Sequence, residues 1–187
     1  MTTETQIKTS TWNIDKSHSN IDFTVKHLVI STVRGHFRDF EGVLHIDEDA
    51  PENSNVTVSI DVASVDTNDE KRDAHVRSED FFAADRFPKA TFQSTRLERL
   101  DGNDFRLHGD LSIRGITKPV VLDGEFDGQI TDPWGGQRIA FTAKTEISRE
   151  AFDVRWNQVL EAGGMTVSDK VKLSFHIEAV KAQESAE

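Results

Sequence analysis

Apolar residues recur at every second position through most of the chain, a period that restricts it to half-buried strands. Ile21, Phe23 and Val25 alternate with Asp22, Thr24 and Lys26. The same parity runs through Phe40-Gly42-Leu44-Ile46, Val56-Val58-Ile60-Val62, Ala90-Phe92-Ser94 and Phe105-Leu107-Gly109-Leu111-Ile113. It continues in Val120-Leu122-Gly124-Phe126 on to Ile130, in Ile139-Phe141-Ala143-Thr145-Ile147 and in Val171-Leu173-Phe175-Ile177-Ala179. Turn chemistry separates most of these runs, at Asp101-Gly102-Asn103, at Gly115 and at Asp132-Pro133-Trp134-Gly135-Gly136. About eight one-sided antiparallel strands bury their inner faces by closing into a barrel or folding into a sandwich. A closed barrel of that size is either filled by its side chains or hollow enough for one ligand. Small residues at the inward parity (Gly42, Gly109, Gly124, Ala143, Thr145) favour the hollow form.

Two stretches break the period. Residues 67–79 open with Thr67-x-x-Glu70, a capping box, and predict a short polar helix leading into Phe81-Phe82 and Phe87-Pro88. Residues 149–169 lack strand parity yet hold Phe152, Val154, Trp156, Val159, Leu160, Met165 and Val167, too apolar for a disordered linker. Both segments fit a cover over one barrel mouth, either as lids or as fixed plugs.

Composition removes whole classes of chemistry. The 187 residues include no Cys and no Tyr, which excludes thiol nucleophiles, thiolate metal sites, disulfides and phenolic acid–base groups. With 33 acidic against 22 basic residues, net charge −11, the chain lacks the cationic surface that binds phosphate backbones, so no nucleic-acid partner is expected. Residues 1–11 are polar, without the apolar segment of a secretory signal, and no apolar run approaches the ~18 residues of a membrane span. The expectation is one domain over residues 11–181 between flexible tails at 1–10 and 182–187. It is expected in the cytoplasm, or in the periplasm if a leader was removed.

Motifs for metal or nucleophilic chemistry are weak. There is no HExxH, no two His lie within five residues, and the nine-residue spacing of His18, His27, His36 and His45 alternates strand faces. No metal site and no required cofactor are expected. Ser17-His18-Ser19 places hydroxyls beside an imidazole, as a turn or strand entry also does, and no GxSxG, GxGxxG or Walker pattern occurs. Carboxylates such as Asp22, Asp61, Asp110 and Glu178 fall on the outward parity, where solvation is expected. What remains is the distribution of Phe. Phe23, Phe92, Phe105, Phe126, Phe141 and Phe175 share the inward parity, and Phe81, Phe82, Phe87, Phe152 and Trp156 lie in the covers. Such rings suit an apolar ligand and a packed core equally well.

The ordered motifs narrow this. Residues 12–46 (TWNIDKSHSNIDFTVKHLVISTVRGHFRDFEGVLHI), Asp73-Ala-His75-Val-Arg-Ser78-Glu-Asp80-Phe81-Phe82 and Phe87-Pro88-Lys-Ala-Thr-Phe92 resemble the YceI-like family, also called polyisoprenoid-binding proteins. The resemblance continues through Gly109-Asp-Leu111-Ser-Ile113-Arg114-Gly115-Ile-Thr117-Lys-Pro119-Val120, Ile147-Ser-Arg149 with Phe152 and Trp156, and Asp169-Lys-Val171 with Glu178. It implies an all-β fold, an eight-stranded antiparallel barrel of lipocalin-like shape with one or two short helices over a mouth, often dimeric. It implies binding of a long isoprenoid, a polyprenyl phosphate or an isoprenoid quinone, for transport, storage or stress response. Many members carry a signal peptide and are periplasmic.

Joined with the strand parity, the resemblance assigns Phe23, Val25, Val58, Phe92, Leu111, Phe141, Leu173 and Phe175 to the channel lining, and Phe81, Phe82, Phe152 and Trp156 to the lid. A polar head buried at the mouth needs a donor, and Arg34 and Arg149, then His18, His27 and Arg114, are the candidates. Two other readings stand beside this one: an enzyme acting on a lipid or small apolar substrate with His18 or His27 as base, and a packed barrel serving as an interaction module.

Overall fold

In the computed structural model, residues 9–161 and 163–183 are described; the two expected tails lie largely outside them. The strands are β1 (Thr9–Ile14), β2 (Asn20–His27), β3 (Ser31–Phe37), β4 (Phe40–Asp47), β5 (Asn55–Asp61) and β6 (Val65–Asp66). After helix α1 (Glu70–Arg77) come β7 (Lys89–Arg99), β8 (Asp104–Ile113), β9 (Ile116–Thr131), β10 (Gln137–Ser148) and β11 (Val167–Lys181). All pairings are antiparallel, and the sheet closes because β1 pairs with both β4 and β11.

Three staves of this barrel are kinked, so the strand segments form a closed eight-stranded barrel. The β1–β2 stretch runs along β11 as one broken strand, Ile14 facing Ala179 and Asn20 facing His176. At the break Asp15 accepts from the Ser17 amide and caps a 3-10 turn at Lys16–His18. β3 and β4 meet at Arg38-Asp39, and β5 passes to β6 through a 3-10 turn at Val62–Ser64. There Asp61 accepts from the Ala63 amide, so this outward carboxylate has a structural task beyond solvation.

The glycines do not open the interior as expected. Phe92 lies across Gly109, Phe105 across Gly124 and Phe23 across Gly35, while Ile14 fills the space at Gly42. A Cβ at any of these positions would collide with the neighbour, so glycine here lets a large side chain lie flat against the wall. The outer rows also shift where bulges occur. Parity carried through β9 puts Ile130 inside, but the register slips between Ala140 and Phe141, opposite Gly128 at φ 141°. Gln129 therefore faces inward and Ile130 is exposed.

The covers form as separate pieces. The helix begins later than the capping box predicts: Asp69 is the N-cap and accepts from the Arg72 amide. Thr67 instead gives its N–H and O–H to the buried Asp73 carboxylate, at 2.8 and 2.6 Å. Residues 149–166 hold one 3-10 turn, Glu150–Phe152, and an isolated bridge between Val159 and Met165. The core falls into two clusters. Phe37, Phe40, Ile60, Val62 and Val65 pack against Phe82 and Val76 of the cover, while Trp12, Ile139 and Ala179 pack with Phe126 and Phe141.

Candidate functional site

The barrel is hollow. Its cavity measures about 1240 Å³ and runs from the covered end, at His27, Phe81, Trp156 and Thr166, to a polar rim at Asp47, Arg99, Gln137 and Lys181. That exceeds the ~300–1,000 Å³ of ordinary small-ligand clefts. The packed-barrel alternative loses its footing here, since a solid interior was its premise.

Each channel position predicted from the sequence borders this cavity: Phe23, Val25, Val58, Phe92, Leu111, Phe141, Leu173 and Phe175. Strand alternation puts them there, and cross-strand neighbours keep them in place, as where Phe141 meets Phe105 and Phe126 at 6.0 and 5.4 Å. The cover residues Phe81, Phe82, Phe152 and Trp156 border it too, in different ways. Phe152 is only 2 % exposed and anchors its segment. Phe82 packs edge-on against Phe37 at 5.9 Å. Phe81 and Trp156 meet each other at 5.4 Å and both meet the His75 ring, at 5.1 and 4.7 Å.

Most of the head-group candidates fare differently. Arg34 lies on β3 between the inward Val33 and Gly35, so it is exposed on the outer face and does not reach the cavity. Arg149 borders the cavity but spends its donors on backbone. Its Nε donates to Ser168 O (2.9 Å), Nη1 to Val154 O (2.6 Å) and Trp156 O (3.0 Å), and Nη2 to Val167 O (3.2 Å). Burial pushes its guanidinium pKa down, against the opposing pull of Glu150 and Asp169. Arg114 lies outside the cavity, donating to Glu79 O and Phe81 O from Nη1, with Asp153 at 3.5 Å from Nη2. These two arginines are fasteners of the covers. Arg149 ties down the 153–167 segment, and Arg114 ties the segment after α1 and reaches across to the other.

His18 is on the outer wall. Its Nδ1 is 2.8 Å from Asp15, whose other oxygen takes the Ser17 hydroxyl at 2.6 Å. Asp15, His18 and Glu178 have ligand atoms close enough for a cation, but Arg138 already donates to Asp15 (2.9 Å), Glu178 (2.6 Å) and Asp132 (2.9 Å). Two of the three candidate ligands are thus already paired with a guanidinium. Hydrogen bonds from Ser17 and His18, aided by Arg138, hold the Asp15 carboxyl far below the usual range. Arg138 and the Gly136 and Trp134 amides lower the Asp132 carboxyl as well. Of the five head-group candidates, His27 alone borders the cavity with its ring unpartnered among the described residues.

Sequence reasoning missed several polar residues on the cavity wall. Arg99 points inward because the β7–β8 register slips between Ser94 and Arg96, reversing the parity set by Phe92. Gln129 enters through the β9 bulge, and Lys71 reaches the covered end from α1. His75 borders the cavity and lies 2.8 Å from Asp80, an imidazole–carboxylate pair outside the enzyme alternative, which named His18 or His27 as base.

Residues 12–179 match the family model of the YceI-like domain. Protein YceI of Escherichia coli O17:K52:H18 is 42 % identical over 146 residues, 77 % of this chain and 76 % of that one. Among solved structures, the Campylobacter jejuni YCEI protein superposes with a TM-score of 0.73 at 32 % identity, covering 85 % of this chain and 90 % of its own. A polyisoprenoid binding domain from Saccharophagus degradans shares the fold, TM-score 0.69 at 14 % identity, over 91 % of this chain and 98 % of that one.

Proposed function

The chain belongs to the YceI-like family, and from that premise we propose that its barrel binds a long apolar lipid of polyisoprenoid type, a polyprenyl phosphate or an isoprenoid quinone, for carriage or storage. The observation that carries this reading is the cavity: about 1240 Å³, walled by Phe, Leu, Val and Ile, with polar groups at its two ends. An apolar chain gains about 0.8 kcal/mol per buried methylene before losses, so a long tail binds firmly without specific polar contacts. The S. degradans domain of the same fold, named a polyisoprenoid binding domain, supports the ligand class. His27 and Lys71 at the covered end, or Arg99 and Gln129 at the other, are the groups able to meet a polar head.

Binding rather than catalysis fits this lining, which offers no thiol, phenol or activated hydroxyl facing the cavity among the described residues. The His75–Asp80 pair favours a second reading, an enzyme acting on an apolar substrate; a bell-shaped pH–rate profile lost in His75→Gln supports it. Uptake of a fluorescent isoprenoid alcohol tests the binding reading. Phe141→Asp or Phe175→Asp, each placing a carboxylate against the apolar tail, abolishes uptake while the fold persists by circular dichroism. Unchanged uptake in both variants sinks the proposal.

A further inference from the structure

Large aliphatic side chains collect at one place on the surface of this acidic protein. The turn between β2 and β3 presents Leu28, Val29 (68 % exposed) and Ile30 (87 % exposed). Beside it the 157–166 segment presents Val159 (76 % exposed) and Met165. The two segments are joined: the Leu28 amide donates to Thr166 O at 2.8 Å, Val159 bridges Met165, and a Cβ placed on Gly164 would lie 3.6 Å from Val29 Cγ2. Hairpin turns with positive φ normally carry Gly or Asn, yet Leu28 and Val29 hold φ of 52° and 66°.

The patch adjoins the covered end of the cavity. His27 and Thr166, which border the cavity, are the sequence neighbours of Leu28 and Met165. Its surroundings also differ from the rest of the molecule. Residues 26–36 contain Lys26 and Arg34 and no acid, and residues 154–166 contain Arg155 with Glu161 as the single exception. In a chain of net charge −11, these two segments are poor in carboxylates.

We propose that this apolar rim inserts shallowly into a lipid bilayer, setting the covered end of the cavity against the membrane so that the lipid passes between them. The proposal rests on the lipid-binding reading of the cavity. A bilayer fits better than a protein partner for two reasons. The patch has no Trp, Tyr or Arg of the kind that anchors protein interfaces. Five partly exposed side chains also fall short of the ~800 Å² that each side of a standard protein interface buries. With so few acids nearby, the insertion is driven by apolar burial rather than by charge, so it is weak, reversible and insensitive to salt.

Flotation of the full chain with phosphatidylcholine vesicles tests this, beside light scattering and uptake of a fluorescent isoprenoid alcohol from ethanol. The wild type floats with the vesicles at low and high salt. Ile30→Asp/Val159→Asp, whose altered side chains project into solvent, floats about tenfold less but takes up the probe from ethanol as the wild type does. Ile30→Phe retains flotation. Equal flotation of the wild type and the Asp variant overturns the proposal, as does a wild type that does not float. A wild-type dimer that the Asp variant splits, with no flotation by either, assigns the patch to a second copy instead. If neither protein takes up the probe while flotation still differs between them, the docking surface stands and the cavity reading fails.

Discussion

The His75 ring meets Trp156 edge to face at 4.7 Å, and through this contact the two covers of the barrel touch. One partner comes from α1 and the other from the segment after β10, with Phe81 packed against both. Arg114 fastens the first cover and reaches Asp153 of the second, and Arg149 fastens the second, so the aromatic contact joins two already fastened pieces. Trp156→Ala removes the contact without emptying the cavity wall. Release of a bound isoprenoid probe should speed up several-fold while the amount bound at saturation holds, as stopped-flow dilution would record; unchanged release would mean that lipid does not leave past these rings.

Arg149 and Arg34, the two foremost head-group candidates from the sequence, make opposite predictions. Arg149→Met leaves the carbonyls of Val154, Trp156, Val167 and Ser168 without their donor and should cost roughly 3 kcal/mol in denaturant unfolding. Arg149→Lys should recover little of this, because an ammonium lacks the fork that reaches several carbonyls at once. Arg34→Ala, on the exposed outer face, should fall within about ±0.5 kcal/mol and leave lipid uptake intact.

The glycines under aromatic rings are also open to test. Gly109→Ala sets a methyl group against the Phe92 ring, and Gly124→Ala sets one against Phe105. The ring must tilt into the cavity, so each substitution should lower stability by about 1–3 kcal/mol and shorten the longest isoprenoid the barrel accepts. Loss of stability with no change in ligand length would mean that the wall gives way outward instead.

The Arg138 cluster gives a pH signature. Asp15 and Asp132 have folded-state pKa values below their unfolded ones. Their contribution is therefore fully present above the ordinary carboxylate range, near pH 4, and is lost as pH falls through the folded values. Arg138→Met removes the cation from three carboxylates. The Tm gap between wild type and variant should be widest near neutral pH and shrink as pH falls toward ~3. A gap independent of pH would show that the guanidinium acts only by packing.

How much of this was legible follows from where the period held. β8, β10 and β11 keep alternation over most of their length, so Leu111, Phe141 and Phe175 were placed on the cavity wall from sequence. β1 and β3 were missed. Thr, Ser, Asn, Arg and His dominate them, and the inward row of β3 includes Gly35, which carries no apolar signal of its own. The bulges in β7 and β9 each insert one residue that parity cannot anticipate, which hid Arg99 and Gln129 and misplaced Ile130. Arg149 was found as a residue of interest, but its task depends on four carbonyls brought together only by the fold.

The most direct test of the central claim is organic extraction of the purified protein, with the released material weighed by mass spectrometry against protein quantity. A hollow barrel that holds isoprenoids should yield roughly one apolar molecule per chain, of isoprenoid mass spacing, and lose it in Phe141→Asp. Protein that yields no lipid, and that stays empty when offered isoprenoid alcohols and quinones, would contradict it.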